Sequence, residues 1–308
     1  MESRRLPRFK HVSTVRAIKI TDRDRIILQL VYRHRLLRSS HIVDLVGGSS
    51  QPILRRLQLL YHHGLLERPR AQLDYYHLPG SRHIVYGLGK KGGALLRCEG
   101  LVRSVRFDWG EKNRKIGRIF LEHALLVSDV MVRVELACRK TERVRFIPQD
   151  EIALPDTIAG GCSPFRWKVS VAAHTKLGVV PDQAFALDIT RADGDVTRAF
   201  FFLEADRGTM PVIRKGLSQT SMHRKFLAYE ATWSQAIHRK RFGFHRFRVL
   251  SVTKSAERRN SLVEACSRLR SGHGLFLFTD IGTLKAHGNI LTMPWNTGRQ
   301  GEQNRLLD

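Results

Sequence analysis

The apolar segment Phe200–Ala205 predicts a buried β-strand, because aromatic residues fill it and polar residues bound it. Side chains alternate along a strand, so Glu204 should share one face with Asp206, which follows directly. Asp182 ends a second predicted strand, Val179–Asp182. Burying carboxylates without compensation is costly. Either these acids cap solvated strand ends, or together they hold Mg²⁺ or Mn²⁺, cations that prefer oxygen ligands.

The charge of the chain favours a polyanionic partner. The 308 residues include 53 Lys and Arg against 28 Asp and Glu, a formal net charge of +25. The first 120 residues hold 25 of the basic and 9 of the acidic residues, so their excess is +16. This pattern favours nucleic acid over a membrane surface, and no apolar run approaches the ~20 residues of a spanning helix.

The length of the chain and its cysteines indicate the number of domains and the cellular compartment. A chain of 308 residues predicts about two domains, each with its own core. No secretory signal pattern follows Met1. Scattered cysteines without paired metal spacing predict reduced thiols in a cytoplasmic protein. These cysteines are Cys98, Cys138, Cys162 and Cys266.

The N-terminal part predicts a basic flexible arm over residues 1–18 and a compact helical domain over residues 19–98. A capping box at Thr21–Asp24 predicts the start of a first helix. A second helix should end at Gly47 and Gly48, and a third should follow from about Ser49.

The third helical pattern resembles a DNA-reading surface. Gln51, Arg55, Gln58 and His62 fall on one polar stripe opposite the apolar arc. Arg can pair with guanine edges and Gln with adenine edges in the major groove, so the pattern predicts a helix-turn-helix. An ordinary solvated helix face is the alternative.

Two predicted strands, Leu65–Arg68 and His83–Tyr86, flank a polar tip and predict a β-wing. A closing helix at Lys90–Arg97 would complete a winged helix over residues 19–98. Basic residues on a wing contact phosphates and fix position without reading sequence. The candidate DNA-contacting residues are Gln51, Arg55, Arg56 and Gln58 in the third helix and Arg68, Arg70 and Arg82 in the wing.

The second half predicts a basic linker at residues 99–115, a mixed domain at residues 116–290 and a polar, poorly ordered tail at residues 291–308. The mixed domain should open with a helix from Ile116 and contain a β-sheet flanked by helices, including a long helix from about Pro211 to Lys240. Its predicted strands are Val144–Ile152, Phe165–Val171, Arg246–Thr253 and Leu275–Thr279, in addition to the two that carry the acids.

The second half has the predicted order helix, strands, helix, strand, and it carries Pro181-Asp182 and Glu204-Ala205-Asp206 on successive strands. This arrangement is similar to the core of PD-(D/E)XK nucleases. The whole chain, over roughly residues 20–280, resembles the replication-relaxation family of plasmid and mobile-element proteins. That resemblance implies a winged helix joined to a restriction-endonuclease-like mixed sheet, a combination of α/β and α+β. It rests on Thr21-x-Arg23-Asp24, Arg55-Arg56-Leu57, Gly64-Leu65-Leu66, Tyr86-Gly87-Leu88, Gly92, His123, Pro181-Asp182, Phe202–Thr209, Arg248–Thr253 and Leu275–Thr279.

The resemblance implies a metal-dependent, site-specific DNA nickase akin to mobilisation relaxases. Asp182 and Glu204, with the Ala205 carbonyl, would hold Mg²⁺ or Mn²⁺, which polarises the scissile phosphate and activates water. The nuclease pattern has Lys where this chain has Asp206, which would be a further metal ligand or a general base. A lysine from elsewhere would supply the missing charge. The candidates are Lys215 and Lys225 on the next helix, and Lys168.

Two alternatives concern the chemistry and the partner. Relaxases that use a Tyr nucleophile carry a His-x-His metal motif, which this chain lacks. A non-catalytic origin-binding or transcriptional regulator would use the second domain for dimerisation, giving a homodimer, or for partner docking. Both the nickase and the regulator would bind double-stranded DNA at a plasmid or transfer origin, and a nickase would also meet single-stranded DNA.

Overall fold

The computed structural model describes residues 7–12, 17–75, 83–102, 109–159, 163–172 and 175–308. The chain divides into two compact units, Met1–Val132 and Arg133–Asp308. Each unit is described by itself. As predicted, helices and a mixed β-sheet make up the described structure. No described helix has both the length and the apolarity needed to cross a membrane.

The first unit consists of helices around a small sheet. Its first helix begins at the predicted capping box: the Thr21 amide donates to Asp24 across 2.7 Å, and the Asp24 amide donates back to the Thr21 hydroxyl. The elements are α1 (Asp22–His34), β1 (Leu36–Arg38), α2 (Ser39–Val46), α3 (Ser50–His62), β2 (Leu66–Glu67), a 3₁₀ turn (Arg70–Tyr75), β3 (Val85–Leu88), α4 (Lys90–Cys98), α5 (Trp109–Lys115) and α6 (Arg118–Arg139), which runs past the division.

The small sheet has the order β1-β3-β2, with both pairs antiparallel. The strand β1 was not predicted, because three residues between two helices are too short for a period-2 pattern. Gly92 of α4 packs against the turn between α3 and β2: a Cβ there would overlap the carbonyl oxygen of Leu65. Glycine therefore allows the close approach of this helix.

Residues 7–12 do not behave as the predicted flexible arm. The ring of His11 stacks on Tyr61 with centroids 4.3 Å apart, and its Nε2 lies 3.4 Å from a Glu67 carboxylate oxygen. The Arg8 carbonyl accepts a hydrogen bond from Arg68. Side-chain stacking and backbone hydrogen bonding anchor this stretch on the first unit, which charge composition did not reveal.

The predicted linker is also partly structured. Asn113 of α5 is buried and donates from Nδ2 to the Leu88 carbonyl across 3.1 Å. This amide satisfies a carbonyl at the end of β3, so the segment Trp109–Lys115 belongs to the first unit.

The second unit is built on a seven-stranded sheet of order β12-β11-β10-β9-β8-β7-β4. Its central pairs β8–β9 and β9–β10 are parallel and the outer pairs antiparallel. The elements are β4 (Val144–Pro148), a 3₁₀ turn (Gln149–Glu151), α7 (Asp156–Ala159), β5 (Trp167–Ala172), β6 (Thr175–Val179), β7 (Gln183–Thr190), β8 (Val196–Ala205), α8 (Met222–Ser234), α9 (Ile237–Phe242), β9 (Phe247–Thr253), α10 (Ala256–Ser267), a 3₁₀ turn (His273–Leu275), β10 (Phe276–Asp280), α11 (Ile281–Ala286), β11 (Trp295–Thr297) and β12 (Gln303–Asn304).

One sheet face carries a large aromatic core. The core joins the central strands to α8, α10 and the separate β5–β6 hairpin. Phe202 of β8 lies at its middle, 5.3 Å from Trp167 and 5.9 Å from Tyr229 between ring centroids. Aromatic pairs at these distances add to the free energy of area burial. The core fixes α8 over the end of β8.

The predicted long helix over residues 211–240 is wrong in two respects. Residues 206–221 have no regular secondary structure, so the helix begins at Met222, capped by the Ser221 hydroxyl. It then ends at Ser234, and Ala236 adopts a left-handed conformation with φ 54° before α9 begins. Apolar residues at helical spacing on both sides concealed the break.

The segment predicted as a polar, poorly ordered tail contributes to the sheet. The strands β11 and β12 form one edge, and Trp295 is fully buried. Leu291 and Leu306 are buried as well. With Met293, four apolar side chains of this mostly polar segment are buried, although its average composition predicted otherwise.

Candidate functional site

Two neighbouring strands bring Asp182 and Glu204 together. Gln183, the first residue of β7, pairs with Leu203 of antiparallel β8, so Asp182 lies opposite Glu204. The Asp182 amide donates to the Leu203 carbonyl across 3.0 Å, and its Oδ2 accepts from the Ala205 amide across 2.8 Å. Opposed residues of an antiparallel pair face the same side. Asp182 was predicted at the end of a strand, but it lies in the turn just before β7.

Both oxygens of the Glu204 carboxylate are engaged by α8. Lys225 donates from Nζ to Oε2 across 2.5 Å, and the Tyr229 hydroxyl donates to Oε1 across 2.6 Å. Residues four apart lie on the same face of a helix, so one turn of α8 supplies both donors. Glu204 is 2% exposed and Tyr229 is fully buried. This contact is the centre of the candidate site.

The electrostatics of the cluster follow from burial and from the charges nearby. Burial raises the pKa of Glu204; Lys225 opposes that increase and Asp182 adds to it. Burial lowers the pKa of Lys225, but the charges of Glu204 and Asp182 outweigh burial, so this pKa is raised and the ammonium stays charged. Burial and the adjacent Glu204 raise the pKa of Tyr229 well above its ordinary value, so its hydroxyl remains a donor.

Asp206 is committed to a separate network. Arg258 of α10 donates to Oδ2 from Nε across 2.8 Å and to Oδ1 from Nη2 across 3.2 Å. The Thr253 hydroxyl also donates to Oδ2 across 2.8 Å, and Arg258 continues to the Met210 carbonyl. Asp206 therefore holds α10 and the segment after β8 in place. Among the described residues, no group of three or more Asp, Glu, His or Cys could hold a metal ion, so the predicted ligands Asp182, Glu204 and Asp206 are not assembled as one set.

Ser251 adds a polar atom without a hydrogen-bond partner beside Glu204. The two residues pair in the β8–β9 register, and paired residues of parallel strands face the same side. The Ser251 side chain is fully buried and its Oγ has no hydrogen-bond partner. Buried hydroxyls normally have one, so a missing partner here points to a site that a further group completes.

The donor set fits a divalent cation in part. Asp182 and Glu204 offer carboxylate oxygens on one sheet face. The orphaned Ser251 hydroxyl lies on the same face. Asp182 and Glu204 are therefore the candidate ligands, and Asp206, which Arg258 holds, is not one of them.

The predicted lysines differ in position. Lys225 lies on α8 and contacts Glu204. Lys215 is exposed in the irregular segment before α8, so its predicted helical position is wrong. Lys168 is exposed on β5. The sequence analysis did not identify Tyr229 or Arg258 as site residues. Tyr229 could have been found, because it follows Lys225 by four residues on the helix after the strand that carries Glu204.

In the first unit, α3 presents part of the predicted polar stripe. Gln51 and Arg55 are exposed, and Gln58 is half-buried. His62 is buried, so its assignment to the solvent-facing stripe is wrong. Arg56 faces the interior instead: it donates from Nε to Asp24 Oδ1 across 2.7 Å and from Nη2 to Oδ2 across 2.5 Å. Asp24 is fully buried, so Arg56 serves the fold.

The arginines of the predicted wing differ in their exposure. Arg68 is 4% exposed, with its guanidinium 4.1 Å from the Tyr61 ring centroid and 5.1 Å from that of Tyr86. It donates to the Tyr86 hydroxyl across 3.0 Å, so its assignment as an exposed phosphate contact is wrong. Arg70 is exposed at the start of the 3₁₀ turn. Arg82 lies outside the described residues.

Comparisons with known proteins place the chain in a family. Searches of curated proteins and of solved structures found no match. A family model described as Replication-relaxation matches residues 28–246, which include α3, Asp182, Glu204 and Lys225. The match covers more than half of the 308 residues. The chain therefore belongs to the replication-relaxation family.

Proposed function

We propose that this protein binds DNA at a plasmid or transfer origin and nicks it in a metal-dependent reaction. The observation that carries the proposal is the contact of Lys225 with Glu204, beside Asp182, at the C-terminal end of β8. Two carboxylates and a lysine are the groups that phosphodiester cleavage requires for metal binding and charge neutralisation. The family and the net charge of +25 favour a nucleic acid as substrate.

Asp182 and Glu204 would hold Mg²⁺ or Mn²⁺ in this proposal. When bound, such a cation supplies charge stabilisation for the phosphate and acidifies a water molecule. Tyr229 holds Glu204 in one orientation through Oε1. Lys225 supplies a positive charge that neutralises a phosphate oxygen, in the role that the nuclease pattern gives to lysine.

For DNA recognition we propose that the first unit acts as a winged helix, with α3 in the major groove. Gln51, Arg55 and Gln58 would read base edges, and Arg70 would contact phosphate. Three helices and an antiparallel sheet of the order β1-β3-β2 support this assignment. Double-stranded DNA is the expected ligand of this unit.

The test is conversion of a supercoiled plasmid that carries the cognate mobile-element region to open circles, with Mg²⁺ or Mn²⁺. Wild type is compared with Asp182→Asn and Glu204→Gln, and with Asp195→Asn, an exposed carboxyl in the β7–β8 turn, as matched control. We expect nicking by wild type and the control, loss of at least about 100-fold in the two site variants, and unchanged DNA affinity.

A second function is a non-catalytic origin-binding regulator that would dimerise through the second unit. The observation in its favour is that both oxygens of Asp206 and of Glu204 are engaged within the protein. The regulator would be supported if wild type bound origin DNA in a salt-dependent manner and did not cleave it in the presence of any divalent cation. Equal cleavage by wild type and both site variants would assign the activity elsewhere.

A further inference from the structure

We propose that the second unit has its own surface for the phosphate backbone of duplex DNA, formed by the exposed side chains of Arg239, Lys240 and Arg246. These three residues are called the basic ridge below. The inference rests on the proposed function in one respect, its ligand, which is DNA. It adds a DNA contact that is separate from α3 of the first unit and from the carboxylates of Asp182 and Glu204.

The basic ridge lies in a stretch of sequence without acidic residues. Residues 231–256 contain six Lys or Arg and neither Asp nor Glu. The whole second unit, residues 133–308, holds 28 basic and 17 acidic residues, an excess of 11. This one stretch therefore supplies more than half of the excess positive charge of the unit. Such a local concentration of positive charge attracts a polyanion.

A tight turn after α9 brings the ridge onto one surface. The helix ends at Gly243, which has a φ of 72°, a conformation that favours glycine. The Phe244 amide then donates to the His238 carbonyl across 3.0 Å. The chain therefore turns back beside α9, so the ridge residues before and after the turn lie close together.

Buried aromatic side chains hold this turn in place. Phe242, Phe244 and Phe247 alternate along the chain with the cations, and each is at most 2% exposed. Phe244 stacks on Phe200 with ring centroids 3.7 Å apart, and Phe242 lies 5.1 Å from Trp167. The backbone that carries the ridge is thus part of the packed core, and its cations project from a rigid support.

The side chains of the basic ridge are available to a ligand. All three are exposed, and none forms an ion pair or a side-chain hydrogen bond with another residue that the structure describes. The neighbouring Arg241 is used differently, because it donates to the carbonyls of Pro164 and Arg166 across 3.4 and 3.1 Å. These hydrogen bonds bring Arg166, a further exposed cation, close to the ridge.

The chemistry of the ridge favours duplex DNA over a single strand or a lipid surface. Surfaces that bind single strands present aromatic rings on which bases stack, and segments that bind membranes present apolar side chains to the lipid. Here Phe242, Phe244 and Phe247 are buried, so the cations make the contact. Phosphate contacts carry no sequence code, so the ridge should bind DNA of any sequence.

The basic ridge lies away from the candidate metal site. In the parallel β8–β9 register Phe200 pairs with Phe247 and Glu204 pairs with Ser251. The ridge therefore adjoins the start of β9, whereas Glu204 lies beside its C-terminal half. Four residues of a strand span about 13 Å. Loss of the ridge should thus weaken DNA binding without changing the groups around Glu204.

The experiment measures the affinity of the full chain for fluorescein-labelled duplexes by anisotropy over a salt series, with EDTA present to prevent cleavage. Wild type is compared with a ridge variant that carries Arg239→Gln, Lys240→Gln and Arg246→Gln. The matched control variant removes the same charge from exposed positions elsewhere on the second unit, namely Arg191→Gln, Arg270→Gln and Lys285→Gln.

We expect the ridge variant to bind at least about tenfold more weakly than wild type, with a salt dependence of log K that is shallower by about two to three. The loss should be equal for origin DNA and for unrelated DNA, because phosphates are the same in both. The control variant should change the affinity less than about threefold.

A second readout follows the wild-type protein and does not depend on a variant folding. Acetylation of Lys240 by an amine-reactive ester is quantified by peptide mass spectrometry, with the exposed Lys285 as the internal reference. Saturating duplex DNA should lower the relative rate at Lys240 at least about fivefold, because the ammonium is then held at a phosphate.

The outcomes separate this inference from the proposed function. Wild-type affinity in the ridge variant, with acetylation of Lys240 unchanged by DNA, would overturn the ridge and leave α3 and the candidate metal site standing. Equal weakening in the control variant would also overturn it, because total charge would then account for binding. Weaker binding by the ridge variant, with no effect of Arg55→Ala and no nicking, would support the ridge and overturn the proposed function.

A lipid surface is tested by sedimentation with vesicles of phosphatidylserine and phosphatidylcholine. If the ridge variant lost vesicle binding and kept its affinity for DNA, the ridge would belong to a membrane contact and the inference would be wrong. If wild type bound no DNA at all, both this inference and the proposed function would be overturned.

Discussion

Arg56 and Asp24 form a two-point ion pair that ties the third helix of the first unit to the first helix, with Nε–Oδ1 at 2.7 Å and Nη2–Oδ2 at 2.5 Å. Burial opposes ionisation of Asp24, but the hydrogen bonds from Arg56 and Thr21 outweigh burial and lower its pKa. A neighbouring arginine on α3, Arg55, is exposed. Two adjacent arginines therefore serve different purposes.

Arg56→Ala should destabilise the first unit, because it leaves the buried Asp24 carboxylate without its charged partner. We expect a loss of about 2 kcal/mol in the free energy of unfolding, measured by urea denaturation. Arg55→Ala is the control and should lie within about 0.5 kcal/mol of wild type. Equal stability of the two variants would mean that the ion pair contributes nothing.

Arg55→Ala should instead weaken DNA binding. A base contact predicts a loss of about 1–3 kcal/mol for origin DNA and little for unrelated DNA. A phosphate contact predicts a similar loss for both DNAs and a salt dependence of log K that is shallower by about one. Fluorescence anisotropy over a salt series distinguishes the two, and unaltered binding would exclude α3 as the contact surface.

Asp188 should contribute a pH-dependent stability to the sheet. The hydrogen bonds from Arg198 outweigh burial and, with Arg145, lower the pKa of this carboxyl below its ordinary value of 3.8. A lowered pKa in the folded state stabilises the protein above pH 3.8, and this contribution disappears as the pH falls through the folded value.

Asp188→Asn should therefore cost about 1 kcal/mol at pH 7 and progressively less in acid, until the two unfolding curves converge. Urea midpoints at pH 7, 5, 4 and 3 would measure the convergence. Asp195→Asn, at an exposed turn position, should run parallel to wild type throughout. If the urea midpoint of Asp188→Asn differed from that of wild type by the same amount at every pH, the charge of Asp188 would not be responsible for the difference.

Trp295→Ala should destabilise the second unit by about 3–5 kcal/mol, because it empties a fully buried site at the sheet edge. Thermal unfolding monitored by circular dichroism would show a lower transition temperature. Gln303→Ala, exposed on the adjacent strand β12, is the control and should change little. A small effect of Trp295→Ala would mean that the C-terminal strands fold independently of the sheet.

Local chemistry predicted part of this architecture. The capping box at Thr21, the turn at Gly47 and Gly48 with positive φ, and the strand that carries Glu204 follow from residue type and spacing alone. Long-range contacts could not be predicted in that way. Arg56 and Arg68 look like surface cations in the sequence, and only the fold shows the buried partners, Asp24 and the Tyr61 and Tyr86 rings.

The candidate site also combines residues that local sequence indicates with contacts that only the fold shows. Residue type indicated Asp182 and Glu204, but they lie opposite each other only because Gln183 pairs with Leu203 in the β7–β8 register. Lys225 was one of three candidate lysines. The choice among them depended on where the connection after β8 ended and α8 began, at Met222. That connection is held by Arg258 on Asp206 and Met210, a contact between distant segments that no local pattern encodes.

The two hydrogen bonds from α8 to Glu204, donated by Lys225 and Tyr229, constrain which substitutions this family can accept during evolution. Loss of Lys225 alone leaves a buried carboxylate without its cation, and loss of Glu204 alone leaves Lys225 and Tyr229 without their acceptor. Each single step lowers stability before any gain appears, and proteins sit close to their stability threshold. Relatives that abandon this chemistry are therefore expected to exchange the residues together, so that intermediate combinations are rare.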